Sequence, residues 1–249
     1  MSDSGGKKGF CPFSLFLFAA STGYYVYSRS ITVSEEREEK RPEGDGEMAE
    51  SSSFAEEAYR VIFVLGGPGA GKGTQCSLIQ TNLGWGHLSA GDLLRAERNS
   101  GSQLADVINA KISSGQLVPS DITVGLLKDA MDRERKASGC TKFLIDGFPR
   151  SDGNVSAWET VVGSAADVCA VLFLDCPEDV MTGRLLERGK TSGRNDDELD
   201  VIRKRFDTFR KESVPVIQRY ESEGLVRRVA ADRDPDSVWE TVRGIVESL

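Results

Sequence analysis

Gly66-Gly67-Pro68-Gly69-Ala70-Gly71-Lys72-Gly73-Thr74 follows the apolar run Val61-Ile62-Phe63-Val64-Leu65 and spaces its glycines and lysine as a phosphate cradle requires. Glycines let successive backbone N–H groups approach phosphate oxygens where a Cβ would collide. A helix beginning at the end of the loop turns the positive end of its dipole toward the same anion, and Lys72 adds a mobile charge. The pattern Gly66-xxxx-Gly71-Lys72 fits the P-loop template except that Gly73 fills the usual Ser/Thr position, with Thr74 one residue later. A magnesium ion here would therefore depend on nucleotide phosphates, water and Thr74.

Further along, Phe143-Leu144-Ile145-Asp146-Gly147-Phe148-Pro149-Arg150 reads as a strand that delivers a carboxylate and then turns tightly. Asp146 is the expected magnesium carboxylate, acting through water, because the ion prefers oxygen ligands and keeps several waters. Gly147 and Pro149 aim Arg150 across a cleft, where its planar fork can take a phosphate in bidentate fashion. Asn154, four residues on, offers an amide donor and acceptor suited to a base edge. Arg95 stands on the opening turns of a helix after Ser89-Ala90-Gly91-Asp92. Arg184 and Arg188 share a helix face four residues apart. The glycine-bounded stretch Gly189-Lys190-Thr191-Ser192-Gly193-Arg194-Asn195-Asp196-Asp197 reads as a short lid loop, and Arg205 lies 11 residues beyond Arg194.

The elements that must position these residues follow from periodicity. Strands are expected at 61–65, 87–89, 143–145, 169–174 and 225–229, with helices between them, which predicts a parallel sheet wrapped by helices. Ligands of such sheets sit beyond the carboxyl ends of the strands, where the candidate residues cluster. Two helical stretches between residues 89 and 119 exceed what a crossover needs and suggest an inserted binding flap. Pro119-Ser120 signals a turn with Ser120 as the cap of the next helix.

The chain of 249 residues has a net charge of -8, and its hydrophobic content of 39% suffices for one soluble domain plus a tail. Residues 1–58 carry -5 of that charge and residues 59–249 carry -3, so no broad basic footprint exists for nucleic acid. Five cysteines form no C-x-x-C pair and suggest neither a disulfide framework nor a zinc site; a reducing compartment is the better reading. His87, the sole histidine, reads as a structural residue beside the second strand. Phe10 to Tyr27 is an uncharged run of 18 residues, which as a helix would span about 27 Å against about 30 Å of hydrocarbon. It admits three readings: a signal anchor, a cleaved targeting peptide, or neither. Basic residues downstream of it weakly favour a cytosolic domain. Residues 30–58 read as a solvated linker, placing the domain boundary at 58/59. The expected location is the cytoplasm, with the nucleus open to it, or the cytosolic face of a membrane through contact by 10–27; a cleaved leader would imply an organelle.

The P-loop with Gln75, Ser89-Ala90-Gly91-Asp92-Leu93-Leu94-Arg95, Asp146-Gly147-Phe148-Pro149-Arg150 and the stretch 189–197 occur in an order that strongly resembles the adenylate kinase superfamily of nucleoside monophosphate (NMP) kinases, over residues 60–249. The resemblance implies a three-layer α/β P-loop fold with a five-stranded parallel sheet, a helical NMP-binding insert at about 89–119 and a short lid at about 189–197. It implies ATP and Mg²⁺ and direct in-line transfer; the absence of a large surplus apolar surface makes a monomer the expected state. Gly69, Ala70, Gly71, Lys72, Gly73 and Thr74 would hold ATP phosphates, with Arg188 touching them, Arg184 near adenine and the Arg233 backbone contacting it. Ser89, Arg95, Leu117, Val118, Gly147, Arg150 and Asn154 would form the monophosphate site. Arg194 and Arg205 would close on the phosphates, and Lys72, Arg150, Arg194 and Arg205 would be the catalytic set. Asn154 stands where adenylate kinases usually place Gln, and Leu94 follows Leu93 where they commonly have Met-Leu. Both features favour a pyrimidine acceptor, UMP, CMP or dCMP; the alternative acceptor is AMP.

Overall fold

A computed structural model of the protein describes residues 57–192 and 195–249. The apolar run 10–27, the linker up to residue 56, and Arg194 lie outside the described residues. Five strands, β1 (Tyr59–Gly66), β2 (Gly86–Ser89), β3 (Lys142–Asp146), β4 (Ala166–Asp175) and β5 (Val226–Ala230), form one sheet in the order β2-β3-β1-β4-β5. Every pairing is parallel. The central strand β1 is buried from Val61 to Leu65, which explains why its sequence is continuously apolar rather than alternating.

Successive side chains of a strand point to opposite faces, so β1 feeds two cores at once. Val61, Phe63 and Leu65 pack with Leu127 and Met131 of α4 (Ser120–Ser138), Trp158 of α5 (Asp152–Val161) and Val216 of α8 (Val214–Ser222). Ile62 and Val64 face the other way, onto Ile79 of α1 (Lys72–Leu83), Leu185 of α6 (Glu178–Ser192), Phe206 of α7 (Leu199–Thr208) and Val242 of α9 (Pro235–Glu247). The result is three layers. Between β2 and α4 lie α2 (Ala90–Asn99) and α3 (Ala105–Ser113). A π-helical turn, Phe209–Ser213, joins α7 to α8. No helix among the described residues is long and apolar enough to cross a membrane.

Three local expectations need correction. Strand β4 starts at Ala166 rather than Cys169, because Ala166-Asp167-Val168 pair with Tyr59-Arg60-Val61 before a register shift at Val61/Ile62 absorbs one residue. Ser120 does not cap α4: Pro119 holds the cap position without a side-chain bond, and the Ser120 hydroxyl instead accepts a hydrogen bond from Asn154 Nδ2 at 2.8 Å. Residues 189–192 are not a loop but the last turn of α6. Helical geometry continues there because Lys190 pairs with Glu187 and Thr191 Oγ1 donates to Arg188 O, while Gly189 packs so closely that a Cβ would stand 3.3 Å from Asp197 Cβ.

Candidate active site

The P-loop connects the buried end of β1 to α1. Gly69 and Gly71 have φ of +86° and +88°, a left-handed conformation that side chains other than glycine rarely adopt. A Cβ at Gly69 would stand 2.6 Å from Met181 O, so the loop is also pressed against α6. Gly71 is the N-cap of α1 and supplies no side-chain bond to it, and the first turn of α1 has no acidic residue. Its leading N–H groups therefore meet an anion without internal competition.

Lys72 donates from Nζ to Gly66 O and Gly67 O, both at 2.9 Å. Burial pushes its pKa down to about 8, with Asp146 opposing that shift and Arg150 and Arg205 adding to it. Asp146 ends β3 and is buried, with Oδ2 3.7 Å from His87 Nε2. Gly73 leaves open the space in front of that carboxylate: a Cβ there would lie 3.7 Å from Oδ2. A single carboxylate facing side-chain-free space beside a phosphate loop suits a hydrated magnesium ion, which takes one or two carboxylates and keeps several waters.

Past Asp146 the chain turns at Gly147, φ +72°. Phe148 is fully buried and lies edge-on to Phe63, with ring centroids 5.7 Å apart, which fixes the turn to the sheet. Arg150 Nε donates to Gly147 O. Asn154 completes this corner, because its Oδ1 accepts from Arg150 N at 3.0 Å while its Nδ2 reaches Ser120. Ser213, from the π-helical turn, donates to Arg150 O at 2.9 Å. Burial lowers the Arg150 pKa, and the next cause is the charge of Arg205. Two half-buried guanidinium groups that repel each other across a cleft favour an anion between them.

Arg150, Arg205 and Arg95 line one open cleft with Lys72, Gly147 and Asn154, of about 1060 Å³ counted out to its mouth. Leu117 and Val118 also line it. Ser89 does not belong to this lining; its hydroxyl caps α2, accepting from Asp92 N at 3.2 Å. Arg95 pairs with Asp92.

The lid-side arginines are held by acids that sequence reasoning gave no role. Arg188 binds Asp197 with two parallel bonds, Nε to Oδ2 and Nη2 to Oδ1, both 2.7 Å. Arg205 reaches Asp197 Oδ1 at 3.0 Å and Asp196 Oδ2 at 2.8 Å. Burial pushes the Asp197 carboxyl up, but bonds and charge from Arg188 and Arg205 pull it further down, leaving it below the ordinary range. Arg184 diverges from Arg188: it donates to Ala231 O at 2.8 Å and Arg233 O at 3.1 Å. It thus meets the Arg233 backbone 49 residues away, as a shared base site would need. Thr74 is exposed at the first turn of α1. Asp196-Asp197 beside an arginine-rich helix was the signal available for the lid acids, whereas no local pattern pointed to Ser120 or Ser213.

An all-parallel sheet with a P-loop at its central strand, and a basic cleft built from arginines after other strands, defines a nucleoside monophosphate kinase. The chain belongs to the adenylate kinase family, whose model, described as "Adenylate kinase", matches residues 64–225. It is similar to the UMP-CMP kinase of Gallus gallus, 51% identical over 184 residues that cover 73% of this chain and 94% of that protein. The Saccharomyces cerevisiae uridylate kinase is 49% identical over 196 residues, covering 78% of this chain and 94% of its own length. The UMP-CMP kinase 3 of Arabidopsis thaliana is 49% identical over 185 residues, covering 74% and 88%.

Proposed function

We propose that the protein transfers the γ-phosphoryl group of ATP to UMP or CMP, giving ADP and the pyrimidine diphosphate, with Mg²⁺. The observation that supports this reading best is the convergence of Lys72, Arg95, Arg150 and Arg205 on one cleft beside the P-loop. The names of the relatives point to the same acceptors. Gly69 to Thr74 hold the ATP phosphates, and Lys72 gives up the Gly66 and Gly67 carbonyls for their oxygens. Arg95 and Arg150 take the acceptor phosphate, while Leu117 and Val118 flank its base. Asn154 sets the base-proximal corner, and Ser89 shapes it by capping the helix that carries Arg95. Arg184 and the Arg233 backbone border adenine.

Asp146 would hold magnesium through water, with Thr74 near it, and the ion would supply neutralisation of phosphate charge. Arg188 and Arg205 exchange Asp197 for phosphate as Arg194 closes over the cleft. For Arg188 that exchange conserves bidentate bonding, and for both it moves positive charge to where charge develops in transfer. Closure also excludes water, the competing acceptor. Transfer passes in line with charge spread over equatorial oxygens, so no covalent enzyme intermediate is needed.

Residues 59–249 form the kinase unit, a monomer, with residues 89–119 as its acceptor flap and 189–197 as its lid. Residues 1–58 act as an address or tether, placing the enzyme in the cytosol or on its membranes. The deciding experiment measures ADP formation with ATP, magnesium and, separately, UMP, CMP, dCMP and AMP. Turnover with UMP and CMP and little with AMP is expected; AMP as best acceptor would leave the phosphate roles standing and overturn the pyrimidine assignment.

A further inference from the structure

The fold brings together three side chains that the sequence keeps apart and that phosphoryl transfer does not use as a set. Cys76 Sγ on α1, His87 Nε2 on β2 and Asp146 Oδ2 on β3 all lie within 4.8 Å of one another. Cys76 is fully buried, and His87 and Asp146 have side chains only 15% and 11% exposed. His87 Nε2 is itself buried and has no hydrogen-bond partner among the described residues; Asp146 Oδ2 stands 3.7 Å away. An orphaned ring nitrogen beside a thiol and a carboxylate is an arrangement in want of a ligand.

We propose that Cys76, His87 and Asp146 form a binding site for a thiophilic divalent cation such as Zn²⁺, and that its occupancy inhibits the enzyme by withdrawing Asp146 from magnesium. Sulfur, imidazole nitrogen and carboxylate oxygen are the three ligand types that zinc accepts together, with a fourth position left for water. Magnesium, confined to oxygen ligands, would not use this trio, so the two ions compete only through Asp146. Metal–ligand bonds of about 2.0–2.3 Å put neighbouring ligand atoms of a tetrahedron somewhat closer than they stand here, a contraction that side-chain rotation can supply. Lys72 and Arg150 are cations whose charges interact with Asp146, and Lys72 also with Cys76. The Lys72 Nζ is turned onto the Gly66 and Gly67 carbonyls. Metal binding would displace the Cys76 thiol proton: one S–H bond breaks, one S–metal bond forms, and the proton leaves to solvent with no change of oxidation state.

The test is a titration of the chelator-treated full chain with Co²⁺, without nucleotide. The expected result is one ion per chain with tetrahedral d–d absorption and a thiolate-to-cobalt charge-transfer band, both abolished by Zn²⁺. Cys76→Ala loses the charge-transfer band, and His87→Gln weakens cobalt binding by at least about tenfold. Both variants keep magnesium-supported turnover, which shows that they fold, and both lose sensitivity to Zn²⁺ added over excess magnesium. Absence of a charge-transfer band in the unmodified chain, or an unchanged band in Cys76→Ala, overturns the proposal, the latter by placing the thiolate on another cysteine. If Cys76→Ala fails to fold, His87→Gln decides: unchanged cobalt affinity overturns the site. Only the inhibition arm rests on the kinase reading; the cobalt spectrum stands or falls without it.

Discussion

Arg150 and Lys72 carry their charges under different constraints, and each has a measurable consequence. Arg150 is half-buried beside Arg205, with its Nε on Gly147 O and no carboxylate bonded to it among the described residues, so its guanidinium is held ready for an anion. Exposed ion pairs are worth about 1 kcal/mol or less, whereas a dehydrated arginine on a transferring phosphate is worth about 10³ to 10⁵ in rate. Arg150→Ala is expected to lower turnover by at least about a hundredfold with little change in melting temperature; steady-state kinetics beside thermal denaturation check this, and near-normal turnover would refute the role. Lys72 titrates near 8 in the free protein because burial disfavours its charge. Phosphates favour the charged form and raise that value. Binding of MgATP should therefore take up a proton above about pH 8 and almost none near pH 7, where Lys72 is already protonated in both states. Calorimetry in buffers of different ionisation heat reads the uptake directly.

At the scale of elements, the P-loop and α6 are packed too closely to be varied independently. A Cβ at Gly67 would meet Met181 Sδ at 2.6 Å, and one at Gly69 would meet the Met181 carbonyl at the same distance. The first contact can relax through a flexible side chain; the second is with backbone and cannot. Gly69→Ala is expected to destabilise the fold by about 1–3 kcal/mol, from positive φ and displacement of α6, and to weaken ATP binding more than UMP binding because α6 also carries Arg184 and Arg188. Denaturant midpoints and separate nucleotide titrations distinguish the two effects. The acceptor side is braced differently. Thr208 Oγ1 donates to Gly115 O at 3.1 Å, and Ser213 Oγ to Arg150 O at 2.9 Å, so the helix bearing Arg205 is tied to both the insert and the Arg150 turn.

For the whole molecule, the described residues supply a hydrophobic core on either face of the sheet, and residues 1–56 lie outside the described residues. Removing that segment should leave turnover with UMP unchanged within about twofold, and only the cellular distribution of the enzyme should shift. Coupled assays of the shortened chain and fractionation of cells expressing both forms check the two halves of this statement; a large loss of turnover would give the segment a catalytic part.

The strand order of types along the chain, the P-loop and the arginines that follow strand ends were all legible in the sequence, because hydrophobic periodicity and glycine spacing are local properties. Asp146 and Arg150 could be placed at one end of the sheet for the same reason: β3 is an uninterrupted apolar strand that must deposit them there. Pairing was not legible. The central position of β1, the capture of Arg188 and Arg205 by Asp197, the seating of Asn154 on Ser120, and the meeting of Cys76, His87 and Asp146 join residues from 8 to 108 positions apart. Which partner a buried polar group finds is decided by how two layers of helices close on the sheet. The sequence thus determined the chemical groups and the end of the sheet they occupy, whereas only tertiary packing decided which of them hold one another and which are left open for a ligand.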